Sequence, residues 1–238
     1  MRIGILQTGL VPDGLSPAMG DYPDMFVRLL AGHGFSFAAY RVVEGQFPAD
    51  VTTCDGWLIT GSRHGVYEDH AFIPPLEDFI RAAFAARVPV VGICFGHQIV
   101  AQAMGGRVER HAEGWAVGAT DYRFGEDTLT LNAWHRDQVT VVPPGASVIA
   151  SNDFCVNAAL LYDDRALTVQ AHPEFQPDFV DALMKTRGRG VVPDDLMAKA
   201  AARLTAPLQD RCMAGRIAAF FKQPRAGNTA GRATPNLV

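Results

Sequence analysis

Apolar positions along the chain alternate between two rhythms. Short runs rich in β-branched residues recur near Met1–Thr8, Phe35–Val43, Gly56–Thr60, Val88–Ile93 and Ala166–Ala171. Each has the length of a buried strand and none approaches a membrane span. Between them the apolar residues return every third or fourth position. Tyr22, Phe26, Leu29 and Leu30 predict a helix over Asp21–Ala31, closed by Gly32 and Gly34. Leu76, Phe79, Ile80 and Phe84 predict another over Pro75–Arg87. Strands alternating with helices of this length predict a parallel sheet covered on both faces, an α/β fold.

The rhythm changes after Gly105. As far as about Leu161 the pattern is of short runs (Val117–Phe124, Thr128–Ala133, Gln138–Val142, Ser147–Ala150) broken by Gly, Pro, Asn and Asp, which predicts a β-rich insertion of hairpins. Pro177–Arg187, Leu196–Leu204 and Ala206–Lys222 then read as helices. From residue 224 the composition turns to Pro, Gly, Asn, Thr and Ala, the signature of a mobile tail. No internal repeat is visible. The organisation expected is one α/β domain over 1–190, additional helices over 191–223 that cap the sheet or make a dimer contact, and a flexible tail over 224–238.

Charge and cysteine usage narrow the functional classes. A formal charge of −4 on 238 residues, with no basic block, argues against a nucleic-acid surface. The chain opens directly on a strand, with no signal-peptide pattern before it. Cys54, Cys94, Cys155 and Cys212 lie far apart with no C-x-x-C pair, so a reducing, cytoplasmic setting is expected. There is no P-loop, no dinucleotide fingerprint and no H-E-x-x-H. His135 and Asp137 lack a third ligand close by, so neither a metal nor another cofactor is expected.

The stretch with chemistry in it is Val88–Gln98, VPVVGICFGHQ. A buried strand stops at Gly92-Ile93-Cys94-Phe95-Gly96, and an apolar helical segment, Gln98–Met104, follows. Glycines two residues either side of a nucleophilic residue, between strand and helix, are the pattern of a nucleophile elbow. Cys94 at a helix N-terminus is placed to favour thiolate, although a free cysteine is also often simply buried. A cysteine nucleophile needs a base and the base an orienting group. His172 has the best context of the seven histidines, because it follows the core strand Ala166–Ala171 at once and would reach the same sheet edge as Cys94. Glu174, two residues on, can accept its imidazole N–H. The Phe95 N–H is one natural oxyanion donor, and Gly61-Ser62 after the third strand is placed to give the other.

G-I-C-F-G-H-Q followed by H-P-E resembles the class I, triad-type glutamine amidotransferases, and among them the glutaminase domain of GMP synthetase-like proteins. The resemblance covers about Met1–Lys185 and includes the Gly61 turn, Gly105-Gly106 and the stretch Trp134, His135, Asp137. It implies a flavodoxin-like fold and a Cys94–His172–Glu174 triad that hydrolyses the side-chain amide of glutamine through a thioester. It also implies oxyanion donors at Gly61 or Ser62 and at Phe95. Gln98, Gly96 and Trp115 would lie by the substrate, with His135 near the mouth of the site. Thr60-Gly61-Ser62 departs from the Gly-Gly-Pro or Gly-Gly-Ser of many members. The ATP pyrophosphatase to which GMP synthetase fuses its glutaminase has no counterpart in the helices and tail that follow. Two uses are open: a glutaminase feeding ammonia to a separate synthetase subunit, or a γ-glutamyl peptidase acting on a larger γ-glutamyl compound. A DJ-1-like sensor or protective protein is the alternative from another class, and the His-Pro-Glu turn counts against it.

Overall fold

The computed structural model describes residues 1–12 and 14–225. In chain order its elements are β1 (Arg2–Leu6), α1 (Ser16–Met19), α2 (Tyr22–Leu29), β2 (Ser36–Tyr40), β3 (Gly56–Ile59), α3 (Ile73–Ala85), β4 (Val90–Ile93) and α4 (Phe95–Ala103). The insertion supplies β5 (Arg107–Arg110), β6 (Ala116–Phe124), β7 (Asp127–His135), β8 (Asp137–Val141) and β9 (Ser147–Ala150). The chain then returns through β10 (Ala159–Tyr162) and β11 (Ala166–Val169) to α5 (Pro177–Leu183), α6 (Asp194–Ala202) and α7 (Asp210–Lys222).

Seven strands form one mixed sheet in the order β2-β1-β3-β4-β11-β10-β9. The first five are mutually parallel, and β10 and β9 close the edge antiparallel. Successive side chains of a strand point to opposite faces, and the two cores follow that period. Ile3, Ile5, Leu58, Val91, Ile93, Leu167 and Val169 pack on one face with Phe26 of α2 and Ile217 and Phe221 of α7. Leu6, Trp57, Ile59, Val90 and Ala166 pack on the other with Leu76 and Ile80 of α3 and Ile99 of α4. Both faces are thereby covered, as parallel sheets require. Among the described residues no helix is long and apolar enough to cross a membrane.

Four strands of the β-rich insertion form two separate ladders, while β9 joins the main sheet. β6 and β7 form a nine-residue hairpin, and β5 pairs with β8. The apolar face of the hairpin (Tyr122, Phe124, Leu129, Leu131) joins the core beneath α7. The later helices share that core as well: Met213, Ala214, Ile217, Phe220 and Phe221 of α7 pack into it. α6 lies over β6, so closely that a Cβ at Gly118 would stand 2.8 Å from the Ala200 methyl. The tail expected beyond residue 224 lies outside the described residues after Arg225, which still donates to the Asp164 and Phe220 carbonyls.

Several boundaries differ from the periodicity for local reasons. The strand expected to Val43 ends at Tyr40, because Val42–Glu44 turns in a 3₁₀ segment that buries Val42 and closes on Gly45 at φ 81°. The helix expected over Pro177–Arg187 is α helix only to Leu183 and continues as one π turn, Met184–Gly188. β5 was missed because its RVER sequence has only Val108 buried. α4 begins at Phe95, three residues before the expected Gln98, since the elbow leads directly into it.

Candidate active site

The parallel register brings the candidate residues together. Val169 of β11 pairs with Ile93 of β4, and the Cys94 N–H donates to the Val169 carbonyl at 2.8 Å. Both strands therefore reach the carboxyl edge of the sheet side by side, where open α/β sheets place their ligand sites. β4 leaves the sheet through Cys94, β11 through Gln170, Ala171 and His172.

Cys94 carries φ 53° and ψ −103°, a backbone that L residues rarely adopt and that costs on the order of 1–3 kcal/mol. Its two flanking glycines make this turn possible by close approach. A Cβ at Gly92 would stand 2.4 Å from the Gly96 carbonyl oxygen, and a Cβ at Gly96 2.3 Å from that of Ile59. Gly96, expected beside the substrate, is buried and packs closely under β3. Phe95 opens α4, where the first N–H groups have no intrahelical acceptor, while its ring is buried in the core.

His172 is fixed on three sides. Its N–H donates to the Asn132 carbonyl of β7 at 2.8 Å, and the Asn132 amide donates to the Phe175 carbonyl at 2.8 Å, pinning the turn to the hairpin. Nδ1 of His172 lies 2.7 Å from Oε1 of Glu174, whose side chain is fully buried. The remaining ring nitrogen is left for the cleft, whose wall His172 shares with Cys94. Burial alone would push this imidazole down. The Glu174 carboxylate first and then Cys94 outweigh it and raise His172 to about 10.

Gly61 presses on this pair: a Cβ there would lie 2.8 Å from Cε1 of His172 and 3.7 Å from Cβ of Cys94. Its carbonyl accepts from the hydroxyls of Thr8 at 3.1 Å and Thr60 at 3.0 Å, which anchors the turn from behind. Ser62 lines the cleft in front and accepts the His64 N–H at 3.2 Å.

The cleft has a volume of about 290 Å³, with Cys94 and His172 in its wall. Gln98, Trp115 and His135, the other residues expected beside the substrate or at the mouth of the site, also line it. Gln98 donates through Nε2 to the Asp137 carbonyl at 2.8 Å and to Oε1 of Gln170 at 3.1 Å. His135 is buried, and among the described residues neither ring nitrogen has a partner in hydrogen-bond geometry. Burial first, then the nearby charge of His172, pushes His135 down to about 3, so it is neutral at physiological pH.

The structure adds residues that the sequence reading did not single out. Gln170 points its amide Nε2 at Cys94 Sγ, 3.6 Å away. Arg63, Arg110, Arg136 and Arg187 surround the mouth, and among the described residues lining it the acidic ones are Glu68 and Asp137. Arg136 leans on Asp137 at 3.9 Å and over the Trp115 ring at 5.4 Å. Arg63, Arg110 and Arg187 have no carboxylate ion pair among the described residues. These arginines come from four separate stretches, and no motif in the sequence links them.

The family described as "Glutamine amidotransferase class-I" matches residues 21–185, a span that includes both the elbow and the His-Pro-Glu turn. Gamma-glutamyl peptidase 4 of Arabidopsis thaliana is 33% identical over 178 residues, 68% of this chain and 70% of that protein. GMP synthase of Aromatoleum aromaticum is 37% identical over 136 residues, 50% of this chain and 25% of that protein. In fold the chain is similar to a glutamine amidotransferase from Methylobacillus flagellatus, with TM-score 0.72, 24% identity and 98% of each chain covered. The match spans more than half of the chain and every strand of the parallel sheet except β1, and on that ground the chain belongs to the class I glutamine amidotransferase family.

Proposed function

We propose that the chain hydrolyses γ-glutamyl amide bonds through a cysteine thioester, with Cys94, His172 and Glu174 as its triad. The observation that carries this reading is His172 held between the Cys94 elbow and a buried Glu174 carboxylate 2.7 Å away. Cys94 Sγ attacks the γ-carbonyl carbon, and the C=O electron pair moves onto oxygen. The N–H of Phe95 and that of Gly61 or Ser62 hold this oxyanion. As the C–N bond breaks, His172 gives its proton to the leaving amine. Water, deprotonated by His172, then cleaves the thioester and releases the γ-carboxylate and the free thiol. Glu174 keeps the imidazole oriented and supports its positive charge.

Two substrates suit this chemistry, glutamine itself and a larger γ-glutamyl compound. The wall of the cleft favours the second. Three arginines without carboxylate partners, beside Trp115 and Trp134, suit a leaving group that carries its own carboxylate. The similarity to gamma-glutamyl peptidase 4 supports the same choice, and that to GMP synthase supports glutamine with a separate synthetase subunit. The test is turnover of glutamine and of a panel of γ-glutamyl peptides by the purified chain, with Cys94→Ala as blank. Peptide turnover above glutamine turnover is expected. Fast glutamine hydrolysis with inert peptides would make it a glutaminase, and no Cys94-dependent turnover of either would overturn the proposal.

A further inference from the structure

The segment between β3 and α3 carries a second cluster of chemistry-bearing side chains that the hydrolysis does not use. Among the described residues, His64, Glu68 and His70 are the group of His, Cys, Asp or Glu whose donor atoms converge, all within 4.8 Å of one another. The two imidazoles approach the same carboxylate oxygen. Nε2 of His70 is 2.9 Å from Oε2 of Glu68, and Nδ1 of His64 is 3.7 Å from it. The first distance is a hydrogen bond and the second is too long for one. Two rings with centroids 4.0 Å apart thus turn their nitrogens to one anion that only one of them bonds.

A cation at the centre of the three would satisfy all of them. Zinc holds imidazole nitrogen and carboxylate oxygen at about 2.0–2.2 Å in a tetrahedron, so neighbouring donor atoms stand roughly 3.4 Å apart. The observed 2.9 and 3.7 Å straddle that spacing, and small side-chain rotations close the difference. Two imidazoles with one carboxylate select zinc-like transition metals over magnesium or calcium, which take oxygen donors.

The backbone around the cluster is already ordered. The Glu68 N–H donates to the Gly65 carbonyl at 3.1 Å, that of His70 to the Glu68 carbonyl at 3.0 Å and that of Ile73 to the His70 carbonyl at 3.0 Å. Phe72 supports both imidazoles, with ring centroids 5.9 Å from each. His64 and Glu68 also line the catalytic cleft beside Ser62.

We propose that His64, Glu68 and His70 form a three-residue binding site for a zinc-like divalent cation at the mouth of the cleft, with water completing the coordination. An H-x₃-E-x-H spacing on a loop fits no helical ligand motif, which is why the sequence alone gives no reason to expect it. A bound ion would hold the Ser62–His70 segment in one conformation and add positive charge to a wall already rich in arginine.

The test is zinc uptake by the untagged full chain carrying Cys94→Ala, so that the thiol beside His172 does not compete. It is read by competition against a chromogenic zinc chelator, with magnesium as control. One equivalent of zinc and no magnesium response are expected. His70→Ala and Glu68→Gln, each added to that background, should weaken zinc binding at least about tenfold. Both side chains are partly exposed, so both variants should keep the parent's metal-free unfolding midpoint. Failure to take up one equivalent, or equal uptake by folded His70→Ala and Glu68→Gln, would overturn the site. The readout is binding alone, so it stands apart from the outcome of the hydrolysis assay.

Discussion

The rings of His172 and Phe175 lie face to face, 5° from parallel with centroids 3.9 Å apart. Phe175 is itself wedged between Tyr22 at 6.1 Å and Phe179 at 4.6 Å. The plane of the imidazole is thus set by an aromatic stack and its rotation about that plane by Glu174. The ring's plane and its charge support come from different residues and can be separated by substitution.

Phe175→Leu keeps an apolar side chain and removes the stack. An aromatic pair is worth about 0.5–1.5 kcal/mol beyond burial, which corresponds to roughly tenfold in rate if it is spent on orientation. We expect kcat for γ-glutamyl hydrolysis to fall about that much with KM little changed. The pH profile should keep its shape, because the carboxylate that sets the charge on His172 is untouched. An unchanged kcat, or a profile displaced as in a Glu174 variant, would remove Phe175 from the positioning role.

Glu174→Gln preserves shape and removes the carboxylate that opposes the effect of burial on His172. The imidazole should then fall from about 10 towards the range that burial alone imposes. Loss of kcat/KM on the order of 10²-fold or more is expected. Alkylation of Cys94 by iodoacetamide near neutral pH should slow in parallel. Exposed Cys212 serves as the internal reference in the same mass spectrum.

How far the sequence could be read follows from the range of each interaction. The elbow was legible because its cause is local: Gly92 and Gly96 sit two residues from Cys94, and the structure needs them small to admit Ile59 and the start of α4. The sheet was legible because its central strands, buried on both faces, stand out as apolar runs. The close approach that demands a glycine at position 96 belongs to β3, more than thirty positions earlier in the chain, and could not be read from its neighbours. Asn132, Gln170 and the four arginines of the cleft were not legible at all. Each acts across elements distant in sequence, as in the Asn132–His172 bridge, and nothing in their immediate neighbours marks them.

Two glycine substitutions should move stability in opposite directions. Gly96→Ala places a methyl 2.3 Å from the Ile59 carbonyl oxygen, backbone that cannot swing aside. A cost of about 3 kcal/mol or more is expected, at the upper end of overpacking, together with loss of activity as the elbow shifts. Gly215 lies within α7 with open space at its Cβ position. Gly215→Ala should raise stability by about 0.5–1 kcal/mol through helix propensity. Urea midpoints at constant slope check both.

Arg110→Met should act on substrate choice more than on the bond broken. For a γ-glutamyl dipeptide with a free carboxylate we expect KM to rise about tenfold, consistent with loss of a charge-assisted hydrogen bond of about 1.5 kcal/mol. The same dipeptide as its C-terminal amide should be affected little. Equal changes for both would show that Arg110 does not read the carboxylate.

The buried histidines predict a stability dome. His97 and His135 are each pushed by burial down to about 3, so both are neutral in the folded chain above that value. An unfolded histidine binds its proton near pH 6.5. Below 6.5 the unfolded state therefore holds more protons, and stability falls as pH drops from there towards 3, by up to about 1.4 kcal/mol per group and pH unit. His172 works in the reverse sense. Raised to about 10 beside Glu174 and Cys94, it contributes stability that is fully present below pH 6.5 and is lost as pH rises towards 10. Urea unfolding from pH 4 to 10 should accordingly give a maximum near pH 6.5. His135→Gln should flatten the acid side and leave the alkaline side alone, while Glu174→Gln should flatten the alkaline side. A wild-type curve level between pH 4 and 6.5 would mean that the two imidazoles take up protons in the folded chain after all.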